Sequence, residues 1–130
     1  MYNIYSLINI TLFKNIEYIN NMRYYELVIL IHPDKSDQLI HIVNKYEKIV
    51  LESNGEICYK EDCGRRQLAY TIRNVYKANY YLLYVRCDKK VINNIQNILK
   101  FDGNIIRFLI IKKDRVIKVP SFLSKKDNYV

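Results

Sequence analysis

The stretch EDCGRRQLAYTIR, Glu61 to Arg73, decides how this chain folds. From Glu56 the sequence runs with period two, the pattern of a strand with one buried face. Ile57, Tyr59 and Cys63 share one parity, and Glu61 interrupts the apolar series. After Gly64 the large apolar residues change parity, and Leu68, Tyr70 and Ile72 take the even positions. Two arrangements satisfy that switch: the second half faces the opposite side of the sheet, or the strand accommodates one extra residue. A β-bulge does the latter, and glycine is its usual residue because it reaches positive φ without a Cβ clash. Gly64 is therefore assigned a structural role, with Arg65, Arg66 and Arg73 arranged around the bulge and the hairpin that follows.

Upstream, RYYELVILIHPD from Arg23 is a near-continuous apolar run stopped by His32-Pro33-Asp34, as in a strand buried on both faces. Ser36 with Asp37 then caps a predicted helix whose apolar positions Leu39, Ile42, Val43, Tyr46, Ile49 and Val50 recur every three or four residues, ended by Asn54-Gly55. Downstream, NVYKAN is read as a hairpin connection and YYLLYVRC, Tyr80 to Cys87, as a third strand. Asp88 caps a second helix carrying Val91, Ile92, Ile95, Ile98 and Leu99, and IIRFLIIK, Ile105 to Lys112, forms a fourth strand. The order β-α-β-β-α-β is that of the α+β ferredoxin-like split βαβ unit, a four-stranded antiparallel sheet with two helices on one face.

This unit occupies residues 22–112. Residues 1–21 have one Lys, one Glu and no Arg, and asparagines break every apolar run, so they match neither a membrane span nor a signal peptide. They are read as an N-terminal extension, with Met22 as an alternative start and organelle targeting as an alternative role. Residues 113–130 read as a flexible basic tail.

The formal charge of +8 favours polyanionic partners, nucleic acid or an acidic membrane surface, without choosing between them. Ile, Asn, Lys and Tyr are strongly over-used, as in an AT-rich genome, so the seven arginines are the more informative basic residues. Three cysteines, Cys58, Cys63 and Cys87, form no paired C-x-x-C spacing, and with His41 they do not make a recognisable zinc motif. The chain has no P-loop, G-x-S-x-G or H-E-x-x-H, and His32 and His41 stand apart from any nucleophile motif. A non-enzymatic protein without metal or cofactor is expected.

Helix stripes must bury one parity of each strand. That parity is assigned to Leu27, Ile29 and Ile31, to Tyr81, Leu83 and Val85, and to Ile106, Phe108 and Ile110. The other face then displays Tyr80, Leu82, Tyr84, Arg86, Arg107, Leu109 and Ile111, an apolar patch of the kind that marks a partner contact unless the termini cover it. Arg65, Arg66 and Arg73 suit phosphate recognition, with nearby aromatics to stack on unpaired bases, or else form a solvated cluster with local ion pairs.

GRRQLAYTIR, Gly64 to Arg73, resembles the signature of the bacterial-type small-subunit ribosomal protein six family at every position. MRYYELVILIHPD from Met22, YYLLYVRCDKKVI and NIIRFLIIK are similar to its opening, its strand-to-helix passage and its last strand. Thr71 stands where the family often has proline. The resemblance implies a ribosome-bound, cytoplasmic or organellar protein. It implies binding to the central domain of small-subunit rRNA together with small-subunit ribosomal protein eighteen. Arg23, Arg65, Arg66, Arg73, Arg107 and Lys112 become the candidate RNA contacts, and Tyr80, Leu82, Tyr84, Arg86, Leu109 and Ile111 the candidate protein-partner surface. An RNA-recognition-motif module shares the strand order and is the alternative, but KANYYLLYV lacks the glycines of that motif's third strand.

Overall fold

The computed structural model describes residues 21–114, so the predicted N-terminal extension and basic tail fall, except at their inner edges, outside the described residues. Strand β1 (Met22–Ile31) leads through a 3-10 segment (Pro33–Gln38) into α1 (Leu39–Glu52). Strands β2 (Glu56–Ile72) and β3 (Val75–Asp88) form a long hairpin, followed by α2 (Lys89–Phe101) and β4 (Ile105–Lys113). The sheet order is β2-β3-β1-β4, with the pairings of β1 with β3, β1 with β4 and β2 with β3 all antiparallel. This is the ferredoxin-like arrangement. The two central strands, β1 and β3, are those whose sequences are apolar on both sides, because a central strand has no polar edge or face to show.

Local chemistry explains the element ends. Asp88 caps α2 as the sequence suggests, its Oδ1 accepting from the Lys90 N–H at 2.9 Å. Ser36 and Asp37 do not cap α1, which starts at Leu39 with Gln38 in the cap position and no side-chain cap. Pro33, with its fixed φ, opens the 3-10 segment instead, and Ser36 becomes a hub. Its Oγ donates to the Pro33 carbonyl at 2.7 Å and accepts from Asn79 at 2.6 Å and Arg65 at 2.8 Å.

The bulge at the opening stretch is present. The β2–β3 register passes from Asp62 to Gly64 while β3 advances one residue, so Cys63 is extra, and Gly64 sits at φ 79°. Asp62 Oδ1 accepts the Gly64 N–H at 2.9 Å, and Arg66 Nε donates to the Cys63 carbonyl at 3.3 Å, clamping the bulge from both sides. A second irregularity makes Cys58 extra between Ile57 and Tyr59. Those two residues were expected on one face; the inserted residue rotates one against the other, so Ile57 joins the helix-side core and Tyr59 the opposite cluster. The hairpin turn is Arg73-Asn74, at φ 50° and 63°, and not the longer NVYKAN, since two residues at positive φ complete a type I′ connection. Val75 to Asn79 are therefore strand.

Between the helices and the sheet lies the main core, in which Leu27, Ile29, Ile31, Val43, Tyr46, Val50, Leu83, Val85, Ile95 and Leu99 are buried. Phe108 and Ile110 pack against it as expected. Ile106 does not: the β1–β4 register shifts between Leu30 and Ile31, which turns Ile105 inward and sends Ile106 to the other face.

That other face is not bare. Leu82 is 0% and Tyr84 3% exposed, in a second cluster with Val28, Leu30, Ala78 and Ile106. Leu68, Ile72 and Val75 from the hairpin's far end pack against it. The expectation of an open apolar sheet face is corrected accordingly: the 17-residue β2 is long enough to coil back over part of its own sheet.

Candidate nucleic-acid interface

The coiled hairpin carries its tip across β1 to the β4 edge, where Arg73 Nη1 donates to the Ile105 carbonyl at 3.3 Å. Beside it Arg107 Nη1 donates to the Tyr70 hydroxyl at 2.8 Å, with its Cζ 5.8 Å from the Tyr70 ring centroid. Arg65 lies on the helix side of the same end and ties β2 to the 3-10 segment through Ser36 and the Pro33 carbonyl at 3.0 Å. Arg65, Arg73 and Arg107 thus donate to neutral oxygens, and none is in a salt bridge among the described residues. Asp62, the nearest acid in sequence, is occupied with the Gly64 amide. Exposed Tyr70 and Tyr76, at 63% and 70%, flank the cluster. Sequence reasoning missed both; tyrosines three residues before and after Arg73 were the signal.

The remaining candidates are at the opposite end of the sheet. Arg23 and Lys112 line a groove of about 680 Å³ with Lys89, Lys90, Asn93 and Asp88 at the start of α2, floored by Tyr25, Ile92 and Ile110. Arg107 pairs with Leu30 on β1, seven residues from Arg23, so the two basic ends are about 23 Å apart at the usual rise of a strand. The structure therefore divides the predicted RNA-contact residues into two poles: Arg65, Arg66, Arg73 and Arg107 at one, Arg23 and Lys112 at the other.

The predicted partner surface is similarly sorted by burial. Leu109 and Ile111 on the β4 edge are 52% and 37% exposed, whereas Leu82 and Tyr84 lie beneath the surface and support it. Tyr80 is half-buried. Arg86 is half-buried too, 4.0 Å from Glu56 and stacked 5.9 Å from the Tyr24 ring centroid. Burial, with the Glu26 charge beside it, pushes the Tyr84 hydroxyl up to about 12, so it remains protonated and can donate to Glu26. Glu26 in turn accepts from Lys113 at 3.2 Å. Glu61 Oε2 is buried without a hydrogen-bond partner among the described residues.

On the helix side the ionisable groups serve packing. Burial tends to raise the Asp102 carboxyl, but hydrogen bonds from Lys45 at 2.8 Å, Tyr46 and the Asn104 N–H outweigh it and hold the pKa below the ordinary aspartate value. Glu47, also buried, accepts from Tyr81 at 3.2 Å and Lys60 at 3.3 Å. Burial raises the Cys63 thiol to about 11 and the Cys87 thiol to about 12, which suits them as small hydrophobes. Among the described residues no group of His, Cys, Asp and Glu is placed to hold a metal, and no helix is long and apolar enough to cross a membrane.

Two helices on one side of this sheet and cationic poles at its ends define a small α+β protein of the ferredoxin-like class. Residues 24–112 match the family described as Ribosomal protein S6, and the chain belongs to that family. It is a ribosomal protein of the small subunit, from a structural family. Its fold is similar to the crystal structure of 30S ribosomal protein S6 from Thermotoga maritima, with a TM-score of 0.67 and 26% sequence identity over 83% of this chain and 96% of that one.

Proposed function

We propose that the chain binds the central domain of small-subunit rRNA jointly with small-subunit ribosomal protein eighteen, in the cytoplasm, as a structural component and not a catalyst. The observation that carries this reading is the hairpin pole. There Arg73 and Arg107 meet no carboxylate among the described residues, each donating to a neutral oxygen, next to the exposed rings of Tyr70 and Tyr76. A guanidinium presents five donors in a fixed fork suited to phosphate, and an exposed ring offers a stacking plane to an unpaired base. Exposed Leu109 and Ile111 lie on β4, an edge strand of the sheet among the described residues, and suit a protein neighbour.

The RNA-recognition-motif alternative has less support, because it needs aromatic rings displayed on the central strands. Tyr84 on β3 is 3% exposed. The deciding measurement is binding of the full chain to a central-domain rRNA fragment, with and without protein eighteen, across a salt series. Joint binding should be much tighter than binding alone and should weaken as salt rises. Partner-independent binding to any single strand would return the reading to the alternative module.

A further inference from the structure

The groove at the start of α2 lies at the far end of the molecule from the hairpin pole and on the helix side of the sheet, where Arg23, Tyr25, Ile110 and Lys112 share the parity of Leu27. Its rim has four cations, Arg23, Lys89, Lys90 and Lys112, against one acid, Asp88. That acid is already engaged, since Asp88 Oδ1 accepts the Lys90 N–H. The ammonium groups of Lys89, Lys90 and Lys112 are in no salt bridge among the described residues, whereas Lys45, Lys48, Lys60 and Lys113 each meet a carboxylate within 4.0 Å. Asn21 and Asn93 add amide donors, and the floor of Tyr25, Ile92 and Ile110 is apolar. Lys35, Lys77 and Lys100 are likewise in no salt bridge among the described residues, but Lys89, Lys90 and Lys112 are grouped with Arg23 around one concavity with room for a stretch of phosphodiester backbone.

We infer that this groove is a second RNA-contacting site that holds a phosphodiester segment on Lys89, Lys90, Arg23 and Lys112, so that the protein clamps two RNA segments about 23 Å apart, one at each pole. The inference rests on the rRNA-binding reading and adds Lys89 and Lys90, which the hairpin pole does not require. Lysine ammonium groups neutralise phosphates as point charges without reading sequence, so this pole positions and the arginine pole discriminates.

The test compares two double variants of the full chain, Lys89→Ala with Lys90→Ala and Arg73→Ala with Arg107→Ala. Both are measured with protein eighteen on the central-domain rRNA fragment by salt-dependent affinity and hydroxyl-radical footprinting. The lysine pair should lower affinity roughly tenfold, reduce the salt slope by about 1 to 2, and lose protection at an RNA segment that the arginine pair leaves protected. Conservative replacement of both lysines by arginine should restore the footprint. If the lysine pair leaves affinity, slope and footprint unchanged while the arginine pair weakens all three, the groove is no RNA site and the rRNA-binding reading stands. If the unaltered protein leaves the RNA unprotected, both readings fall together.

Discussion

Leu82 and Leu83 are adjacent on β3, both 0% exposed, and point into different clusters on the two faces of one sheet. Leu83 faces a core closed by two amphipathic helices, each formed from its own local pattern. Leu82 faces a smaller cluster, closed in part by the sheet's own hairpin, which reaches it only after three register shifts, at Ile57/Tyr59, Asp62/Gly64 and Gln67/Ile72, and a tight turn have bent β2 and β3. The first closure is local and redundant. The second depends on a long ribbon holding its curvature, and the arginines of the hairpin pole depend on it for their position. In this protein the stable face and the recognition face are thus built by different physics.

Removing Leu83 should have the largest effect. Leu83→Ala is expected to cost about 3–4 kcal/mol, and Leu82→Ala about 2, because the partly buried hairpin side chains around Leu82 can collapse into the space. Urea unfolding of the full chain measures both; equal losses would erase the distinction between the faces.

Asp102 sharpens it from the helix side. Asp102→Asn removes a carboxylate that accepts from Lys45, Tyr46 and Asn104 and should cost about 2 kcal/mol near neutral pH. The folded carboxyl titrates below its unfolded value of about 3.9, so its stabilisation is complete above that pH and is lost as pH falls through the folded pKa. The variant's stability should therefore decline less between about pH 5 and pH 2 than the parent's. Parallel acid limbs would show that Asp102 is not the pin.

Gly64→Ala tests the recognition face. A Cβ there meets nothing within 4 Å, so only the backbone at φ 79° resists, and the cost should be about 1 kcal/mol. The bulge sets the hairpin's direction, so amide exchange should quicken at Tyr70 to Tyr76 while α1 and α2 keep their protection. Uniform quickening would mean that the bulge supports the whole fold. The smallest stability change belongs to Arg73→Ala with Arg107→Ala, about 0.5 kcal/mol, although these substitutions should weaken RNA binding at least tenfold. A large loss of stability with RNA affinity intact would reassign both arginines to packing.

Much of the architecture was legible because it rests on short-range signals. The three- and four-residue spacing from Leu39 to Val50, the Asp88 cap and the doubly apolar β1 and β3 each announce their element within a few residues. The reading failed where one residue changes a parity. Nothing marks Cys58 as an extra residue, and nothing in IIRFLIIK shows that Ile105, not Ile106, turns inward. Ser36 carries the chemistry of a helix cap, and its use as a hub for Arg65 and Asn79 depends on residues 29 and 43 positions away.

The residues of the candidate interface divide along the same line. The β-α-β-β-α-β order, the bulge at Gly64, the family signature and the supply of arginines were all readable along the chain, because periodicity, positive φ and capping are properties of neighbouring residues. Three outcomes emerge only once the strands are paired: the hairpin coils over the sheet, Leu82 and Tyr84 lie beneath the surface, and the basic residues separate into two poles with Lys89 and Lys90 at the second. Those outcomes follow from strand register and twist accumulated over 17 residues of β2, where each inserted residue reorients all that come after it.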